Sequence, residues 1–189
     1  MVQIKRPPEA FRSANLFQLG IGHVVVSRFR TDGSVEAGCF LLDVFCLGAK
    51  EAFLAHLNSI PEYERSFLTR MFPANASIPL TASAGRKLVE SAVAYASGLG
   101  FAPCTDYKQA CRVFGGISAL GCEEEFAFGS DGRPCFFQGP SDSPARCRHI
   151  LRVLDSRCGR GNYNYVVAAE CFDGFEDSEK FGGRDIPVP

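Results

Sequence analysis

With 189 residues, the chain is long enough to bury a substantial core in one domain or two small ones. Hydrophobic residues make up 46% and charged residues 22%, and the net charge is −1, so no overall field draws the molecule to nucleic acid or to an anionic membrane. No apolar run reaches the roughly 18–20 residues of a membrane span, and MVQIKRPPEAFRSANLF lacks the apolar stretch of a signal peptide, so a cytoplasmic protein is expected.

In chain order, Pro8 predicts the start of a short helix over 8–17, with Phe11, Leu16 and Phe17 as its apolar contacts. His23 to Phe29 reads as a valine-rich strand, and Thr31-Asp32-Gly33 as a hairpin turn. A second strand from Val35 to Cys46 is apolar on both faces, the pattern of a central strand covered from two sides. Gly48 ends it, and Ala49, Phe53 and Leu57 recur at the spacing of a helix over 49–57. Ser59-Ile60-Pro61-Glu62 combines a capping box with an early proline and predicts a helix to Met71. Ser83 is expected to cap the next helix, whose stripe is Leu88, Ala92, Tyr95, Ala96 and Leu99, and Thr105 or Asp106 to open a short one through Val113.

The last third reads as a second hairpin, Glu125–Phe128 and Pro134–Gln138 around Ser130-Asp131-Gly132, then a helix from Pro144 to Cys158 capped by Ser143, then a closing strand from Tyr163 to Ala168. The two Ser/Thr-Asp-Gly turns suggest an internal hairpin–helix duplication of 21–58 and 124–159. The expected organisation is one globular domain over 1–171 and an acidic, loosely ordered tail over 172–189. The expected fold is α+β: an antiparallel or mixed sheet from two β-hairpins plus a closing strand, with helices packed over it.

Nine cysteines and no tryptophan are unusual. The odd count, with no export signal, argues for reduced thiols over a disulfide framework. The spacing lacks C-x2-C and C-x4-C pairs, so zinc-knuckle geometry is not signalled, and most of the cysteines sit among apolar neighbours as small hydrophobes do.

Two places draw attention as chemistry. Asp43 is a carboxylate inside an apolar strand, and a buried acid is costly unless paired or hydrogen-bonded. As a catalytic acid or base, or as a ligand to a divalent cation, it has Glu51 and the Glu123-Glu124-Glu125 run as company. The hairpin–strand–helix order around it resembles the opening of ribonuclease-H-like nucleases, which need several converging carboxylates. The simpler expectation is a structural Asp held by backbone amides or by Lys50. The second place is the helix 144–158. Arg146, Arg148, Arg152 and Arg157, with Arg160 beyond, flank the stripe Cys147, Ile150, Leu151, Leu154 and Cys158, and Tyr163 follows as a ring for stacking on bases. Arginine stems flanking an apolar stripe also simply cover it. Nucleotide-binding loops and the common hydrolase motifs are absent.

The run FLLDVFCLGAKEAF, followed by AVAYASGLGFAPCTDYKQA and FQGPSDSPARCRHIL, resembles a group of uncharacterised bacterial proteins with comparable leucine/valine-Asp, Cys-Leu-Gly and Gly-Phe-x-Pro segments. The resemblance spans most of residues 21–168. It implies a bacterial cytoplasmic protein and brings neither an established activity nor catalytic residues. The expected function is a binding or adaptor domain that meets RNA or DNA through the arginine-bearing helix, with a protein as a further candidate partner and without a cofactor. The rival is a metal-dependent, nuclease-like hydrolase centred on Asp43, for which a divalent cation is the required cofactor.

Overall fold

The computed structural model describes residues 6–73 and 76–171. The fold is α+β, built on an open antiparallel sheet of five strands in the order β4-β3-β2-β1-β5. These are β1 (Glu9–Ser13), β2 (Ile21–Phe29), β3 (Val35–Asp43), β4 (Gly48–Leu57) and β5 (Ser77–Thr81). A short helix α1 (Leu16–Leu19) links β1 to β2. The β2–β3 hairpin forms at the predicted Asp-Gly turn, where Asp32 Oδ1 accepts the Ser34 amide at 2.9 Å.

Two expectations for this region change. The segment expected as a helix over 8–17 is chiefly strand β1, which pairs with both β2 and β5. The segment expected as a helix over 49–57 is strand β4. Its alanines, lysine, glutamate and leucines favour a helix in isolation, but pairing with β3 along its whole length outweighs a preference of a few tenths of a kcal/mol each, roughly. Both periods are present in the same residues. Leu57, Ala55 and Phe53 lie beside Val35, Ala37 and Cys39 on one face, while Leu54, Ala52 and Ala49 face the other. A bulge between Leu41 and Leu42 leaves Lys50 as the extra residue.

The first face of the sheet is covered by α4 (Ala82–Gly98), by α5 (Tyr107–Ala110) and by the 3-10 turn Cys111–Phe114. Thr81, not Ser83, caps α4 through its Oγ1. Helix and sheet approach closely at Gly85, where a Cβ would stand 2.5 Å from the Ala10 Cβ. The second face is covered by α2 (Ile60–Glu62), which continues through a π-helical turn (Tyr63–Phe67) into α3 (Leu68–Met71), over Val25, Phe29, Val35, Ala37 and Cys39. Ser59 caps this run as expected.

The C-terminal part differs from a second hairpin. Residues 125–128 form no strand with the described residues; Phe126 stacks on Phe17 and Phe128 on Tyr95. The turn forms, with Asp131 and Gly132 both at positive φ and one bridge between Ser130 and Arg133. The return strand β6 (Cys135–Phe137) then pairs in parallel with β7 (Asn164–Val166), and α6 (Pro144–Cys158) makes the crossover between them. The proposed repeat therefore joins unlike units, because 48–57 is a strand and 144–158 a helix. Helix α6 matches its predicted limits and its Ser143 cap. Its stripe of Cys147, Ile150, Leu151 and Leu154 packs with Phe136, Tyr163, Cys171, Cys46 and Leu47 into a third cluster.

All nine cysteines are free thiols. Among the described residues no helix is long and apolar enough to cross a membrane. The expected tail, 172–189, lies outside the described residues.

Candidate functional site

Asp43 closes β3 and is 7% exposed. Its Oδ1 accepts the amides of Phe45 at 3.0 Å and Cys46 at 2.8 Å, which folds Val44–Leu47 back towards Gly48. Burial pushes its carboxyl above the ordinary range; the hydrogen bond from Cys46 and the charge of Lys50 oppose that. The turn it organises is clamped on every side. Val44 donates to the Gly20 carbonyl at 2.8 Å and accepts from Gly129 at 3.0 Å, and the Phe45 carbonyl accepts from Cys135 at 3.1 Å. Asp43 thus spends its carboxylate on the backbone.

Glu51 is exposed on β4, opposite Leu41, and the group that feels its charge is His23, across Leu41 on β2. Burial lowers the His23 pKa and Glu51 raises it. Among the described residues no group of three or more His, Cys, Asp or Glu side chains is placed to hold a metal ion.

On α6 the apolar stripe is sealed, so the arginines emerge along its flanks and outer side. Arg146 Nε contacts Asp142 Oδ1 at 2.8 Å, and Arg160 Nε stands 3.7 Å from Asp155 Oδ2. Arg148 Nη1 reaches the Glu170 carbonyl at 3.4 Å. Arg152 Nε donates to the Arg148 carbonyl at 3.3 Å, and Arg157 lies across Gly100 at the end of α4. Arg152 and Arg157 therefore bracket the outward side of the helix, with His149 and Ser156 between them. Tyr163 is not with them: it is buried in the third cluster, its hydroxyl donating to Asp155 Oδ1 at 2.7 Å. Its ring cannot stack on a base without leaving the core.

A third constellation sits at the other end of the sheet, by the β2–β3 hairpin. Arg28, near the end of β2, and Arg30, just beyond it, share Glu36 of β3, each at 2.7 Å on a different carboxylate oxygen. Burial works against the charged form of Glu36, but the hydrogen bonds and charges of the two guanidiniums outweigh it and hold the carboxyl below its usual range. Arg6 lies over the Phe29 ring at 4.2 Å, fixed by Glu9 and Glu64. Arg6 is 22 or more residues from Arg28 and Arg30, so only the folded hairpin and the entry to β1 bring the three together. Arginines at i and i+2 where a strand ends, with a glutamate opposite across a short turn, are the trace they leave in the sequence.

No protein-family model, curated protein or solved structure matches the chain.

Proposed function

We propose that the chain is a non-catalytic binding domain that meets a single-stranded nucleic acid through the outer side of α6. The observation that carries this reading is the way α6 is seated. Its stripe is buried against the third cluster, so Arg152 and Arg157 are held on a rigid helix at the surface, with Arg148 on the same flank as Arg152. A phosphate backbone rewards such an array through counterion release, and a locally basic helix suffices even where net charge is near zero. The rival hydrolase needs carboxylates converging on Asp43, whereas the side-chain charge that acts on Asp43 is that of Lys50.

The test is a titration of fluorescent single-stranded RNA and DNA oligonucleotides at low salt and over a salt series. Replacing Arg152 and Arg157 with alanine should weaken association and lower the slope of log K against log salt by about 0.7 for each phosphate no longer neutralised. Absence of association by the wild-type chain at low salt rejects the reading.

A further inference from the structure

The cleft beside the β2–β3 hairpin encloses about 670 Å³ and is lined by Arg6, Arg28, Arg30 and Glu36 together with Pro8, Phe29 and Ile117. Three guanidiniums and one carboxylate therefore face the same space. Glu36 is shared by Arg28 and Arg30, so one carboxylate fixes two cations and leaves a surplus positive charge at that wall. Arg6 is held in place from outside the cleft by Glu9 and Glu64 and from below by the Phe29 ring.

Arg28 is the most firmly placed of the three. Its Nη2 donates to Glu36 and to the Arg112 carbonyl, and its Nη1 lies against Gly115, so closely that a side chain there would collide with it. Gly115 also adopts φ +42, so the 3-10 turn can pass over the guanidinium only with glycine at this place. The Arg28 Nε is buried with no hydrogen-bond partner among the described residues. That atom is sealed from the cleft and meets no ligand there; its cost, on the order of 1–3 kcal/mol, belongs to the tight seating of Arg28. Guanidiniums immobilised in this way recognise phosphate oxygens at little further cost in side-chain entropy, and the planar fork suits two oxygens at once.

We propose that this cleft binds a small organic phosphate, with the phosphate on Arg28 and Arg30, the fixed Arg6 facing it from the opposite wall, and the organic portion against Pro8 and Ile117. Glu36 is a positioning residue: it orients the guanidiniums of Arg28 and Arg30 and offsets part of their charge, while Arg6 is balanced by Glu9 and Glu64. The site is independent of α6. Glu36 is the second residue of β3, whereas α6 packs on Cys46 and Leu47 beyond its last residue, and the strand from Glu36 to Asp43 spans about 23 Å.

Phenyl phosphate, inorganic phosphate and benzoate are the probes, titrated into the intact chain at low salt by calorimetry and by NMR of the arginine side chains. Phenyl phosphate should saturate a single site, at least tenfold more tightly than inorganic phosphate and than benzoate. Arg30→Ala, a change at a half-exposed side chain, should weaken it tenfold or more, and Arg6→Ala with Arg30→Ala should abolish it. Arg152→Ala with Arg157→Ala should leave it unchanged, which separates this site from the nucleic-acid surface. A non-saturating titration, retention of binding by the Arg6/Arg30 double variant with its circular dichroism unaltered, or abolition of binding on replacing Arg152 and Arg157 overturns the proposal. Equal affinity for phenyl and inorganic phosphate overturns the organic portion.

Discussion

Lys50 Nζ lies 3.6 Å from Asp142 Oδ2, joining the bulge of β4 to the loop that opens α6. Both side chains are largely covered, 17% and 7% exposed, so the pair is screened less than a surface ion pair. Asp142 also takes the Gly139 amide at 2.9 Å and Arg146 at 2.8 Å, and Lys50 also bears on Asp43. Lys50→Met should therefore cost about 1 kcal/mol, less than a fully buried pair would, because Asp142 keeps two donors. A double-mutant cycle with Asp142→Asn in urea unfolding measures the coupling; a coupling of zero would make the pairing incidental.

Asp43→Ala should destabilise more. It strands the amides of Phe45 and Cys46, with a loss on the order of 2–4 kcal/mol for the two together. Asp43→Asn retains an acceptor oxygen and should cost much less. The two variants compared by urea unfolding at fixed pH decide whether acceptor geometry, not charge, is what the turn requires.

The pH dependences of Asp43 and Glu36 should run in opposite senses. Burial raises the Asp43 pKa in the folded state, so the native state holds its proton more tightly than the unfolded chain. Its favourable contribution is full below the ordinary carboxylate range and is lost as pH rises through the raised folded value. For Glu36 the arginines depress the pKa, so its contribution is full above the ordinary range and is lost as pH falls through the depressed value. Stability profiles of Asp43→Asn and Glu36→Gln against wild type, from pH 3 to pH 8 or about that range, should show difference curves of opposite slope. Parallel curves would contradict both assignments.

Thiol labelling should sort the cysteines by burial. Burial pushes the Cys39 thiol up to about 12 and those of Cys135 and Cys147 up to about 11, and it also raises Cys46. All four are buried, whereas Cys104, Cys111, Cys122 and Cys158 are partly accessible. Iodoacetamide at mildly alkaline pH, followed by peptide mass spectrometry, should modify the partly accessible set first. Early modification of Cys39 would show that the second face of the sheet opens readily.

Tyr163→Phe should cost about 1–2 kcal/mol through removal of the hydrogen bond to Asp155 and leave any oligonucleotide affinity unchanged. A fall in affinity without a fall in stability would place the ring in the interface after all.

The elements legible in the sequence are those whose signals are local. The Asp-Gly turn, the Ser59 and Ser143 caps and the stripe of α6 depend on residues within one turn of each other, and each forms where its residues predict it. β1 and β4 read as helices because strand pairing overrules their local signals, with β5 some 64–72 residues along the chain in one case and with β3 across the Val44–Leu47 turn in the other. The parallel pairing of β6 with β7 is set by the crossover helix, and nothing within residues 125–137 announces it. At the candidate sites, the structural reading of Asp43 follows from its apolar surroundings, while the burial of Tyr163 does not, because a tyrosine after a helix serves a core as readily as a surface. Of the hairpin cleft, Arg28, Arg30 and Glu36 leave a trace in the sequence and Arg6 does not, because it meets them only after β1 has been laid beside β2.

The four residues from Val44 to Leu47 put Val44 and Phe45 into the cluster beneath α4, and Cys46 and Leu47 into the one beneath α6. Two hydrophobic cores thus meet across a single peptide bond, and neither can loosen without dragging its neighbour. Amide hydrogens of Phe45 and Cys46 should then exchange with deuterium only when the whole molecule opens, and heating should give one melting transition in place of two.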